Sequence, residues 1–245
     1  MVLLISFFCY GCSSAINTGL SPPHDSKLIT VEIKNPSEYT MPFPLEIRYI
    51  SYQCQKKRIS GFDGSVITEP GYNVIELPLQ KINNDTWIGK VAVNGGGSCK
   101  WSLSAINLGI EYIDANHLGK DLVPGTAVGA SIAFDNDASR NGKYTSIQGD
   151  LTLSPKYHPY ILEWNIMRKK KELTLLGKED FMSYRVFNLN TINYSPGLDE
   201  TKVVRWIDPE KKVDGVYSKI IYPDGTVAPE KTLFPDFNKV DKMKL

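Results

Sequence analysis

Apolar and polar residues alternate along most of this chain with a period of two, the pattern of strands with one face in a core and the other in water. In residues 28–34 (LITVEIK), Ile29, Val31 and Ile33 alternate with Thr30, Glu32 and Lys34, and Asn35-Pro36 ends the run. In 45–54 (LEIRYISYQC), Leu45, Ile47 and Tyr49 alternate with Glu46 and Arg48; Lys56-Lys57-Arg58 follows as a solvated loop. Residues 73–82 and 86–93, separated by Asn83-Asn84-Asp85, predict a hairpin with Pro78 at an edge or bulge. Trp101, Leu103 and Ala105 share a phase that slips at Ile106-Asn107 before Leu108, Ile110 and Tyr112 resume, which predicts a β-bulge. Residues 125–134 and 144–153 predict strands answering each other across the turn-rich 135–143 segment, and 160–167, 172–176 and 184–189 predict further short strands. Pro223-Asp224-Gly225, between 216–222 and 226–227, reads as a hairpin turn. No capped stretch has helical spacing; 173–182 comes nearest, and Gly177 interrupts it.

Strands recurring every 8–12 residues or so, with turn signals between them, predict an all-β fold, an antiparallel β-sandwich. After Ser154-Pro155 the turns lengthen and charge grows denser. The expected organisation is therefore a β-sandwich over 28–155 and a smaller β-rich C-terminal region over 156–245. The chain of 245 residues is 42% apolar with a formal net charge of +1. So even a balance argues against a nucleic-acid binder, for which a basic domain is expected.

Residues 1–12, MVLLISFFCYGC, stand apart from this pattern. The uncharged run from Val2 to Phe8 is far shorter than the ~20 apolar residues of a membrane-spanning helix. Its ending, Gly11-Cys12, resembles the signal of bacterial lipoproteins, in which the chain is cut before the cysteine and the thiol is lipidated. The resemblance implies a signal peptide over 1–11, lipidation of Cys12, and a flexible Ser/Pro-containing tether over 12–27. Two features depart from the usual pattern: no Lys or Arg precedes the run, and Cys9-Tyr10 stands where Leu and a small residue are common. Ser13 after the cysteine resembles signals sorted to the outer membrane.

Under that assignment Cys9 leaves with the signal, Cys12 takes the lipid, and Cys54 and Cys99 remain as one pair. In an oxidising envelope compartment they are expected to be joined. A crosslink of that span contributes about 4 kcal/mol in the chain-entropy account; two buried thiols that never meet are the alternative. A zinc site is not expected, because neither cysteine has a second ligand at metal spacing and His24, His117 and His158 are scattered.

Other candidates for chemistry read more simply as structure. The 94–98 run NGGGS leads into strand, not into a helix with Gly-Lys-Ser/Thr, so it is a hairpin turn and not a phosphate cradle. Asp135, Asp137, Ser139 and Asn141 place oxygens at alternate positions, as a calcium loop does, but the glycine falls at the eighth place and the twelfth is Ser146; a hairpin loop tipped by Arg140 is favoured. The basic run Arg168-Lys169-Lys170-Lys171 reads as a solvated strand end. No G-x-S-x-G occurs, and His117 near Asp114 and Asp121 has no nucleophile placed beside it in sequence. Neither a catalytic set nor a cofactor motif is found. Trp87, Trp101, Trp164 and Trp206 are expected mostly in the core; one exposed beside tyrosines would suit sugar stacking or a protein interface.

Gly11-Cys12, Cys54 and Cys99, the 95–101 run GGGSCKW and the 108–112 run LGIEY together resemble a group of small Gram-negative envelope lipoproteins. Some of these accompany type VI secretion lipase effectors as immunity proteins. The resemblance implies a periplasm-facing lipoprotein that binds a secreted phospholipase and blocks its active site. It is expected to be a monomer with no cofactor, meeting the membrane through its N-terminal lipid. The expected contact residues are Lys57, Arg58 and Arg140 on charged loops. The alternative is a structural or carbohydrate-binding envelope lipoprotein without a toxin partner.

Overall fold

The computed structural model describes residues 19–138, 142–166 and 169–244. These form three sheets. The first is ordered Leu151–Leu153, Thr191–Tyr194, Leu28–Lys34, Thr86–Ala92, Gln80–Lys81. The second runs Thr145–Gln148, Phe181–Phe187, Val128–Ala133, Trp101–Tyr112, Leu45–Ile59, Val66–Leu77, with Thr40–Pro42 and Asn94–Gly96 also paired to Trp101–Tyr112. The third runs Lys219–Ile221, Val204–Ile207, Lys156–Trp164, Lys170–Leu176, Leu122–Pro124, with Gly197–Leu198 attached.

The alternation sets the layers. Ile29, Val31 and Ile33 point inward from the first sheet and meet Ile106, Leu108 and Ile110 of the second in one core. Tyr157, Ile161, Leu173 and Leu175 of the third sheet belong to that same core. Fully burying each such side chain contributes roughly 1.5–3 kcal/mol, so this shared core dominates the stability of the fold. Tyr157 and Tyr194, both fully buried, join hydroxyls at 3.0 Å and link the third sheet to the first. Burial pushes the Tyr157 phenol up to about 12.

The all-β sandwich with its disulfide matches expectation, and the sheets prove mixed. Leu28–Lys34 pairs in parallel with Thr191–Tyr194, and Val128–Ala133 in parallel with Phe181–Phe187. Parallel pairing needs a long crossover, and here it weaves late strands between early ones. Phe181–Phe187 and Thr191–Tyr194 thus sit in the first two sheets while Leu122–Pro124 sits in the third. The expected boundary near 155 does not separate these sheets, because both sides of it supply one core.

Several local expectations are corrected by the same weaving. Residues 125–134 and 144–153 do not pair with each other, since Phe181–Phe187 lies between their strands. The expected hairpin across Asn83-Asn84-Asp85 survives only as Gln80–Lys81 against Thr86–Ala92; the preceding strand turns instead to Leu45–Ile59. The bulge in Trp101–Tyr112 falls at Ser104, opposite the step from Arg48 to Tyr49, two residues before the expected slip, so Ile106 joins Leu108 and Ile110 inside. Leu173 and Met182 belong to two strands parted at Gly177.

Residues 19–27, assigned to the tether, are seated on the body. Ser21 N–H donates to the Gly95 carbonyl at 2.9 Å, Val93 N–H donates to Lys27 at 2.9 Å, and Ser26 Oγ donates to the Asn94 carbonyl at 3.2 Å. These bonds occupy backbone groups that a free tether would leave to water. Cys12 and residues 12–18 lie outside the described residues.

The helix Phe237–Lys242 departs from the strand-only expectation. Asp236 caps it by accepting from Lys239 N–H at 3.2 Å, and Val240 is buried against Leu176, Val204, Ile220 and Tyr222. The Asp236 cap and the Phe237/Val240 spacing are legible in sequence, but six residues give too short a pattern to stand out. The Pro223-Asp224-Gly225 hairpin is present, with Ile221 bridged to Val227.

Beneath this helix lies His158, 1% exposed, tilted against Phe237 with Asp241 Oδ1 3.7 Å from its Nε2. Neither ring nitrogen has a hydrogen-bond partner among the described residues. Burial holds its imidazole below the ordinary histidine value, with the Lys202 charge adding to the effect. A lowered folded value means the unfolded chain binds the proton more tightly, so the stability His158 permits is full above the ordinary value near 6.5 and is lost as pH falls below it. Urea unfolding is therefore expected to show lower stability at pH 5 than at pH 7.5, and His158→Leu is expected to remove part of that difference.

Candidate functional site

The longest strand pair becomes an arm. Leu45–Ile59 and Val66–Leu77 pair inside the second sheet as far as Ser51 with Gly71, then resume at Lys56 with Glu69 and continue to Ile59 with Val66. Residues 56–59 and 66–69 therefore form a two-stranded ribbon beyond the sandwich. Lys56-Lys57-Arg58, expected in a loop, are strand residues. Their ladder is satisfied by the partner strand although no side chain of theirs is buried, so hydrophobic periodicity has nothing to report there.

The root of the arm has a specific cause. Between the two paired stretches, residues 52–55 oppose Pro70 alone, and proline has no N–H to offer a ladder. Ser51 repairs the gap: its Oγ accepts from Cys54 N–H at 2.9 Å and donates to the Cys99 carbonyl. Cys54 and Cys99 are joined by a disulfide at this point. A Cβ on Gly71 would lie 2.0 Å from the Cys54 carbonyl oxygen, so the approach requires glycine.

Cys99 belongs to the expected glycine turn, in which Asn94–Gly96 pairs back on Trp101–Tyr112. Gly96 has a φ of +59°, and a Cβ there would lie 2.1 Å from the Ser21 carbonyl oxygen. The glycines thus admit the backbone of residues 19–21, and the described chain begins beside the disulfide. A cradle for phosphate is not what they build.

Residues 134–138 leave the same end of the sheet. Val128–Ala133 runs antiparallel to Trp101–Tyr112, and Phe134 N–H donates to the Ser104 carbonyl at 2.8 Å. Tyr52, at the root of the arm, donates from its hydroxyl to Asp137 Oδ2 at 2.6 Å. That bond pushes the Tyr52 phenol up to about 12. Asp135 Oδ1 is taken by Ala138 N–H at 2.8 Å, while its Oδ2 is buried with no hydrogen-bond partner among the described residues. Among the described residues no group of three His, Cys, Asp or Glu is placed to hold a metal.

The expected contact residues are partly brought together. Lys57 and Arg58 share the arm, yet strand alternation sends them to opposite faces. Lys57 lies with Ile59, Val66 and Thr68; Arg58 lies with Lys56, Ile67 and Glu69, and its Nε is 2.7 Å from Glu69 Oε1. Arg140 lies outside the described residues, as does Arg168. The tip of the arm carries three exposed apolar side chains, which the sequence does not signal: Phe62 is 99% exposed, Ile59 73% and Val66 66%. Asp63-Gly64 marks the turn, but nothing local distinguishes an exposed Phe from a core one.

Elsewhere, His117 pairs through Nε2 with Glu200 Oε1 at 3.0 Å and stacks on Tyr39, instead of meeting Asp114 or Asp121. Ser37 Oγ lies 3.5 Å from Glu200, on the carboxylate and not on the imidazole. A cleft of about 820 Å³ on the third sheet is lined by Tyr160, Trp164, Trp206, Tyr217 and Phe234, with the Trp164 and Trp206 rings 4.7 Å apart. Most tryptophans are not core residues as expected: Trp101 is buried in the core, Trp87 is half-buried, and Trp164 and Trp206 line this cleft.

Comparison with known protein families, curated proteins and solved structures found no match.

Replacing both Cys54 and Cys99 by Ser is expected to cost about 2–5 kcal/mol. Urea unfolding measures the loss, and limited proteolysis is expected to cut faster within 52–69, where the root of the arm is loosened.

Proposed function

We propose that this protein is a lipid-anchored, periplasm-facing binding protein, and most concretely an immunity protein that binds a type VI secretion phospholipase and occludes its active site. The observation that carries this reading is the arm joined to residues 134–138 by the Tyr52–Asp137 bond, at one end of the sandwich. Occlusion asks for protruding elements whose geometry is fixed by a scaffold, and here the disulfide, the Ser51 bonds and the Tyr52–Asp137 bond supply that fixity. Lys57, Arg58 and Arg140 are the charges offered to the partner. The lipid on Cys12 would hold the protein at the membrane a phospholipase must reach.

The test is co-purification and lipase inhibition with candidate periplasmic phospholipases. The native protein is expected to form a complex and suppress activity. Lys57→Glu with Arg140→Glu is expected to weaken inhibition by about tenfold or more, the scale of losing contacts at an interface centre. Absence of any complex with every effector encoded beside the gene would remove the reading.

The aromatic cleft favours a second reading, carbohydrate binding. Sugar rings present apolar faces that stack on aromatic side chains, and Trp164, Trp206 and Tyr217 line a cleft of a size that suits small ligands. Titration with envelope oligosaccharides, followed by tryptophan fluorescence, is expected under this reading to give a saturable change that Trp206→Ala abolishes.

A further inference from the structure

We propose that the tip of the arm enters the interface of the same bilayer that holds the lipid on Cys12, giving the protein a second membrane contact. The inference rests on the lipid-anchor reading for its orientation and on the arm itself for its chemistry.

The tip is built to stay apolar and exposed. Ile59, Phe62 and Val66 stand at 73%, 99% and 66% exposure on one short loop and its flanking residues. The loop cannot fold them away, because its backbone is held by local hydrogen bonds. Ser60 N–H donates to the Ser65 carbonyl at 2.8 Å, Ser60 Oγ accepts from Phe62 N–H at 3.2 Å, and Asp63 Oδ1 accepts from both Ser65 N–H and Ser65 Oγ. Ordering costs are thus met before any contact forms. Lys57 lies on the same face of the ribbon as Ile59 and Val66, and Lys56 on the other, whereas Arg58 is engaged by Glu69. Three apolar side chains at the tip with lysines one step behind them match the interfacial region of an anionic bilayer, where apolar groups enter the acyl boundary and ammonium groups meet phosphates; the tip's carboxylate, Asp63, is engaged by Ser65.

Orientation favours lipid over a protein groove. The described chain begins at Gly19, whose carbonyl oxygen would lie 2.5 Å from a Cβ on Gly97, in the turn that carries Cys99. Cys99 is bonded to Cys54 at the root of the arm, so chain entry and arm leave the sandwich from one junction. Seven peptide steps separate Cys12 from Gly19, a reach of at most about 25 Å. Eight steps separate Cys54 from Phe62, at most about 29 Å. The two upper limits are similar, so anchor and tip can meet one surface from this junction. A lipidated chain confines the tip near the surface, so even a weak intrinsic contact is populated through its high effective concentration.

The experiment uses the full chain with Phe62→Trp, compared with the native chain for the background of its other tryptophans. In membranes containing phosphatidylglycerol and brominated lipid, the added fluorescence is expected to shift to shorter wavelength and be quenched. Phe62→Asp is expected to weaken association of the Cys12→Ser chain with such vesicles by about tenfold, the scale of withholding one large aromatic from an apolar phase. If the native chain is held in membranes by Cys12 but the fluorescence added by Phe62→Trp is unquenched, the arm proposal is overturned and the anchor stands. If the chain is not lipidated, quenching with added anionic vesicles decides the tip alone, and no quenching overturns the proposal. If Phe62→Asp abolishes lipase inhibition while the added fluorescence ignores lipid, the tip is a protein contact and the proposal is likewise overturned.

Discussion

The disulfide between Cys54 and Cys99 sits where three parts of the molecule meet. Cys54 lies in the irregular stretch opposite Pro70, where the ladder between the two longest strands lapses. Cys99 lies in the glycine turn that receives residues 19–21. A lapse in pairing at the root of a long ribbon would ordinarily make a hinge. The crosslink, with Ser51 bonding both cysteine segments, turns that hinge into a fixed corner from which the arm projects.

Behind this corner, stability comes from one core shared by three sheets. The Tyr157–Tyr194 hydroxyl pair shows how closely the layers depend on each other, since both rings are buried in the shared core and each hydroxyl finds its partner on the other's sheet. Because strands from both halves of the chain enter the same sheets, the main core belongs to neither half alone. The C-terminal segment closes the assembly with a second small cluster around Val204, Ile220 and Val240, and traps His158 with no hydrogen-bond partner among the described residues.

The functional end combines features of different legibility. Lys57 and Arg58 are conspicuous as charges, and the 135–142 segment as a polar loop, because solvated residues are read from composition. That Tyr52 ties the loop to the arm depends on the antiparallel run of Val128–Ala133 beside Trp101–Tyr112 and Leu45–Ile59, a long-range pairing with no local trace. Phe62 is invisible as a surface residue for the same reason: one aromatic among turn residues looks the same in a core as at a tip.

The alternation of side chains determined by itself that this chain is β-rich and which faces of Leu28–Lys34 and of residues 45–49 turn inward, and the glycines after Asn94 marked a nearby turn, since these follow from φ/ψ preference and burial within a few residues. The bonded pair is expected only through the lipoprotein resemblance, which sets Cys9 and Cys12 aside and leaves Cys54 with Cys99. Tertiary structure alone decided which strands are neighbours, because parallel pairing joins segments far apart in sequence and any exposed ladder edge could have accepted them. It also decided that Lys56-Lys57-Arg58 form an ordered arm, whose hydrogen bonds lie between strands and leave no periodic mark on the side chains.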